Sequence, residues 1–173
     1  MTSLLITGMP GVGKTTLIRK IVKSLDEHIP AGFYTREIRE GGSRVGFELV
    51  GLDGKVRTLA HTRIAGNYRV GKYGVDISGF DEFLKSLTIL SGQRCLIIID
   101  EIGKMECFSA VFRDMITRVL EDDCLLVATI AKKGNEFIEE IKKRQDILLF
   151  ELTRENRDTI LPLLLEKIRS QRY

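Results

Sequence analysis

Cysteine and histidine are scarce. The 173 residues hold three cysteines, Cys95, Cys107 and Cys124, and two histidines, His28 and His61. The cysteines are odd in number, lack C-x-x-C spacing and have no histidine near them in sequence, so neither a disulfide framework nor a zinc site is expected. Cys95 and Cys124 instead open apolar, strand-like runs, where cysteine behaves as a small hydrophobe. No apolar stretch is long enough to span a bilayer. The N-terminal apolar run is too short for a secretory signal and passes straight into a glycine-rich turn. Repeats, low-complexity segments and linkers are missing as well. These absences point to one soluble, cytoplasmic domain over residues 1–173, large enough to bury its own core, monomeric and without membrane contact.

Charge is nearly balanced. Lys and Arg number 27 against 24 Asp and Glu, a net charge of +3. That balance permits contact with nucleic acid without requiring it, because a protein that holds phosphate groups has its own need for cations. Only Lys167-Ile168-Arg169-Ser170-Gln171-Arg172 is concentrated, and it reads as a solvated helix end.

What is present begins at the N-terminus. Leu4-Leu5-Ile6 reads as a buried strand, and Leu17, Ile18, Ile21, Val22 and Leu25 mark one face of a helix. Between them lies Gly8-Met9-Pro10-Gly11-Val12-Gly13-Lys14-Thr15-Thr16, a G-x-x-x-x-G-K-T phosphate loop. A glycine-rich turn from strand to helix aims main-chain N–H groups and the positive helix end at one point, where triphosphate oxygens would sit. Lys14 would reach the β- and γ-phosphates, and the Thr15 hydroxyl would ligate Mg²⁺.

Further on, Phe33–Arg39, Arg44–Val50 and Lys55–Leu59 read as three antiparallel strands, the last two joined by the Asp53-Gly54 turn. This meander, over about 32–60, is an insertion after the first helix. Residues 60–76 show no periodicity and read as a loop. Ser78 with Asp81 can form a capping box for a helix running to about Leu90. From there strand and helix alternate: strands at 95–99, 124–130 and 147–150, and helices marked by Phe112 and Ile116, by Ile138 and Ile141, and by Leu164 and Ile168. Pro162 either kinks the last helix or restarts it. Strands alternating with helices imply an α/β fold whose parallel sheet is covered on both faces.

A second signature closes the strand at 95–99. Asp100-Glu101 follows four hydrophobes, at the strand end where such sheets bind ligands. Asp100 suits the acid that holds Mg²⁺ through water, and Glu101 suits a group that orients or deprotonates a water attacking the γ-phosphate. Charge on the transferring phosphoryl group calls for a further cation, and Lys104, three residues past Glu101, leads Arg36, Arg44, Arg113, Lys132 and Lys133. Thr129 ends a strand expected between the loop strand and the acidic strand, near the γ-phosphate or the water. It is equally a plain β-branched strand residue. In the loop Thr153–Arg157, Asn156 or an arginine could face a base, and Thr153 could equally be a helix cap.

Taken together, several blocks resemble the cancer-related nucleoside-triphosphatase family. They are Gly8–Thr16, Gly32–Thr35 with Glu37 and Arg39, Gly41–Phe47, Arg69–Asp76, Ile99–Glu106 and Glu155-Asn156-Arg157, in the same order over nearly the whole chain. The resemblance implies a three-layer phosphate-loop NTPase fold with a RecA-like, mainly parallel sheet and antiparallel additions. It also implies slow, Mg²⁺-dependent hydrolysis of nucleoside triphosphates (ATP, GTP, CTP and UTP) with little preference among bases. Two other readings stay open: a small-molecule or nucleoside kinase with Arg63, Arg69 and Lys72 at its acceptor site, and a nucleotide-gated switch acting on RNA or a protein.

Overall fold

In the computed structural model, residues 2–25, 30–87, 96–122 and 124–171 are described. The strands are β1 (Ser3–Gly8), β2 (Ala31–Glu40), β3 (Ser43–Gly51), β4 (Val56–His61), β5 (Arg69–Val70), β6 (Tyr73–Val75), β7 (Leu96–Ile102), β8 (Leu125–Ile130) and β9 (Ile147–Leu152). The helices are α1 (Lys14–Lys23), α2 (Ile77–Ser86), α3 (Ala110–Glu121), α4 (Glu136–Lys142) and α5 (Ile160–Ser170), with a short 3₁₀ turn over Glu106–Phe108. Among the described residues the strands form one sheet in the order β5-β6-β4-β3-β2-β7-β8-β1-β9.

Unbroken apolar runs are needed because the central strands are covered on both faces. Side chains alternate across a strand, so Leu4, Ile6, Leu96, Ile98, Leu125 and Val127 meet Leu17, Ile18 and Ile21 of α1 and Leu164 and Ile168 of α5. Their neighbours Leu5, Ile97, Ile99, Leu126 and Ala128 meet Phe80, Phe112, Ile116 and Ile138 on α2, α3 and α4. Three layers result, as expected.

The sheet itself departs from expectation. It is not mainly parallel: β1/β8, β1/β9, β2/β7 and β7/β8 are parallel, while β2/β3, β3/β4, β4/β6 and β5/β6 are antiparallel. Strands β2, β3 and β4 form the expected antiparallel meander, which is continuous with the parallel part of the sheet. The start of β2 pairs with β7 (Ala31↔Ile97 to Phe33↔Ile99), and the strand then continues into its pairing with β3. A local pattern shows that β2 is a strand but not that it has two different neighbours. Residues 60–76, expected as a loop, contain the β5/β6 hairpin around Gly71, whose φ is 57°. Strands of two and three residues are too short to show an alternation.

Other details differ in the same way. Helix α2 is capped by Asp76, whose Oδ1 accepts the Gly79 N–H at 2.9 Å, and not by Ser78. Asp81 instead receives the Ser109 hydroxyl from the start of α3. Helix α2 ends at Ser86, and residues 88–90 lie outside the described residues. Pro162 falls in the first turn of α5, where its missing N–H costs no helical hydrogen bond. Cys124 is disulfide-bonded, which corrects the expectation of no disulfide; spacing along the chain does not report which cysteines meet once it is folded. Cys107 is a free, buried thiol pushed up to about 12, chiefly by burial. Cys95 lies outside the described residues. None of the described helices is long and apolar enough to cross a membrane.

Candidate active site

The loop is built by glycines at its two ends. Gly8 ends β1 with φ 156°, and a Cβ there would lie 2.5 Å from the Leu152 carbonyl oxygen of β9. Gly13, at φ 109°, is the N-cap of α1. Val12 is buried in the core beside α1 and anchors the turn, while Met9, Pro10 and Gly11 are exposed. No side chain caps α1 and no acid occupies its first turn. The N–H groups at Lys14, Thr15 and Thr16 and the positive helix end therefore remain available to an anion.

Two strands away, β7 delivers the acidic pair. Asp100 is 1% exposed, and both of its carboxylate oxygens receive hydroxyl donors. Thr129 Oγ1 on β8 donates to Oδ1 at 2.8 Å, and Thr35 Oγ1 on β2 donates to Oδ2 at 3.3 Å. Each carboxylate oxygen keeps a free lone pair, so the group is oriented without being saturated. The β7/β8 register then slips: Ile99 faces Ala128 and Ile102 faces Ile130, an extra residue on β7. Such a bulge re-aims a side chain, here that of Glu101. Glu101 Oε1 lies 3.9 Å from Lys14 Nζ, which also donates to the Gly8 carbonyl at 3.3 Å. Burial raises the Glu101 carboxyl above its ordinary value; Lys14 opposes the rise and Asp100 adds to it. A carboxylate so raised is a better proton acceptor than a free glutamate.

The donor set also bears on a metal. Among the described residues no cluster of three or more His, Cys, Asp or Glu could hold an ion alone. The Thr15 hydroxyl and the Asp100 carboxylate are both oxygen donors and suit a hard cation that takes its remaining ligands from phosphate and water. The residues present therefore fit Mg²⁺.

The remaining candidates are scattered. Lys104 is exposed in the turn after β7. Arg36 pairs with Glu48, Arg44 with Glu37, and Lys132 with Glu151. Arg113 donates to the carbonyls of Cys107 and Phe108, and Lys133 is exposed. Asn156 is engaged inside its own loop: Oδ1 accepts the Thr153 N–H at 2.8 Å and Nδ2 donates to the Glu151 carbonyl at 2.9 Å. Thr153 Oγ1 accepts the Asn156 N–H in return, a reciprocal pair like a capping box.

Two residues escaped the sequence reading of the site. Thr35 was visible only as part of the Gly32–Thr35 block, with nothing to connect it to an acid 65 residues away. Glu106 is the other. It is 5% exposed, and its carboxyl group is raised to about 8, first by burial and then by Glu101 and Asp100, while N–H groups of its own residue and Gly103 oppose the rise. A group that binds its proton more tightly when folded makes unfolding easier as pH rises. We expect stability to be highest at or below pH 4.5 as far as Glu106 is concerned, to fall until about pH 8, and to lose nothing more above it. Denaturant unfolding across this window should show a shallower slope in Glu106→Gln, and an unchanged slope would rule out the neutral acid.

Set beside known proteins, the chain matches the family model described as NTPase over residues 3–165. It belongs to this NTPase family, and its α/β fold is of the phosphate-loop NTPase kind. It is 44% identical to Nucleoside-triphosphatase THEP1 of Thermotoga sp. (strain RQ2), across 98% of this chain and 97% of that protein. It is 37% identical to the Cancer-related nucleoside-triphosphatase of Homo sapiens, across 96% of each. The crystal structure of THEP1 from Aquifex aeolicus superposes with a TM-score of 0.83 at 37% identity, covering 95% of this chain and 98% of that one. The solution structure of a human cancer-related nucleoside triphosphatase gives 0.84 at 35% identity, covering all of both chains.

Proposed function

We propose that the protein hydrolyses nucleoside triphosphates to the diphosphate and phosphate, slowly and with broad tolerance of the base, as a cytoplasmic monomer whose single domain spans residues 1–173. The observation that carries this reading is the placement of Glu101 beside Lys14 at the mouth of an uncapped phosphate loop, with Asp100 clamped next to it. The loop from Gly8 to Thr16 holds the triphosphate on its N–H groups, and Lys14 draws charge from the β- and γ-phosphates. The Thr15 hydroxyl and, through water, Asp100 would hold Mg²⁺, which would supply positive charge beside the triphosphate. Glu101 orients a water and accepts its proton as the water oxygen bonds to the γ-phosphorus. The bond from that phosphorus to the bridging oxygen breaks, and its electrons stay on the diphosphate. Lys104, exposed three residues past Glu101, is free to close over the leaving charge.

Hydrolysis is favoured over transfer to an acceptor because the basic residues of 60–76 are already engaged. Arg63 pairs with Glu40, Arg69 donates to the carbonyls of Ile64 and Lys72, and Lys72 Nζ lies over the Tyr73 ring. Base tolerance is supported by Asn156, whose amide is oriented by its own loop through Oδ1 and Nδ2 rather than by a pocket for one base. Phosphate release from ATP, GTP, CTP and UTP, measured with Mg²⁺ and no acceptor, should give kcat/KM values within about tenfold of one another, the spread expected when no side-chain hydrogen bond selects the base. A preference of 10⁴ for one base would refute the tolerance. No release without an added acceptor would refute hydrolysis itself.

A further inference from the structure

Glu106 begins the 3₁₀ turn that follows β7, and the charged groups that act on it are Glu101 and Asp100, both acids. An ionised carboxylate in that setting would be buried against like charge. A neutral carboxyl group fits, and it carries an O–H donor. Gly103 defines where this group stands. A Cβ on Gly103 would lie 2.8 Å from Glu106 Oε2 and 3.4 and 3.5 Å from Cγ and Cδ of Glu101. The two acidic side chains thus border one small space, which the missing side chain at 103 keeps open.

The turn that carries Glu106 is pinned from several directions. Arg113 Nη1 donates to the Cys107 carbonyl at 2.6 Å and to that of Phe108 at 3.5 Å. Ser109 Oγ donates to Asp81 of α2, and the Phe108 ring lies 5.4 Å from that of Tyr68. Glu106 therefore has little freedom, whereas the Glu101 side chain is 36% exposed and reaches Lys14 only at 3.9 Å.

We propose that Glu106 is a positioning residue for Glu101: a buried carboxyl group standing behind it across Gly103, which keeps the Glu101 carboxylate turned toward Lys14 and the loop. The inference rests on Glu101 being the group that orients water. Misplacing such a group by an ångström costs on the order of 10²-fold in rate without altering how the nucleotide is bound.

The test is steady-state phosphate release by Glu106→Ala, Glu106→Gln and Glu101→Gln, with thermal melting of each. Glu106→Ala should lower kcat by about 10- to 100-fold with KM nearly unchanged, the signature of an interaction that matters to the reaction rather than to binding. Glu106→Gln, neutral and still a donor, should recover most of that loss. If Glu106→Ala fails to fold, Gly103→Ala asks the same question, because its methyl group would meet Oε2 at 2.8 Å. A wild-type kcat in Glu106→Ala overturns the inference. So does a Gln variant as slow as the Ala variant, or a rise in KM that accounts for the loss. With Glu101→Gln inactive, such a result removes Glu106 alone. Substantial turnover in Glu101→Gln removes the hydrolytic reading first, and this inference with it.

Discussion

Glu101→Gln should lower kcat for phosphate release by about 10²- to 10⁴-fold, the usual contribution of a general base, while a fluorescent nucleotide still binds. The amide has the shape of the carboxylate and keeps an oxygen for orienting water, but it cannot take the proton. The charge opposite Lys14 Nζ, 3.9 Å away, is also lost. That loss relieves the lysine for the phosphates and protects nucleotide binding. A linked result concerns pH. The Glu101 carboxyl is raised by burial, so it becomes protonated, and useless as a base, above the ordinary glutamate range as pH falls. The wild-type rate should therefore drop on acidification earlier than a free carboxylate would dictate, and the Gln variant should show no such limb. A Gln variant that turns over within a few fold of wild type removes Glu101 from the chemistry.

Gly32→Ala should cost about 4 kcal/mol or more and lower Tm on the order of 10 °C, the largest stability effect of any single methyl group here. Gly32 has φ +126°, and its Cβ would stand 1.9 Å from the Ile98 carbonyl oxygen. The obstacle is main chain in the middle of the sheet, with Gly32 and Ile98 in register, so no side chain can turn aside. Relief requires β2 to retreat from β7, which also draws Thr35 from Asp100. The control is Gly54→Ala, at φ +89° with nothing within 4 Å of the added methyl group, where only backbone strain of about 1–3 kcal/mol applies. Thermal and denaturant unfolding compare the two. Equal losses would mean that the close approach of β2 to β7 is not a constraint.

The site was legible where its parts are neighbours in the chain. Gly8 to Thr16 forms a loop because strand, glycines and helix follow one another, and Asp100-Glu101 stands out because four hydrophobes run straight into two acids. The expectation that Thr129 ends a strand between the loop strand and the acidic strand also holds, since β8 lies between β1 and β7. Its hydroxyl, however, is committed to Asp100. Asn156 shows the opposite limit. It stood out as a polar residue in a loop after the last strand, but its amide serves that loop, a choice made by turn geometry a few ångströms across.

By itself the sequence determined what depends on order along the chain. It set the two-faced apolar strands, the helical stripes that cover them, the glycines that bend the loop, and the residue types proposed to face phosphate and water. Only the tertiary structure decided which strands became neighbours. That choice brought Thr35 to one side of Asp100 and Thr129 to the other, made β2 parallel to β7 and antiparallel to β3, and stood Glu106 beside Glu101 across Gly103. The physical reason is that a strand's period reports which faces are buried, whereas a hydrogen bond across a sheet needs strand order and register, which no local pattern encodes.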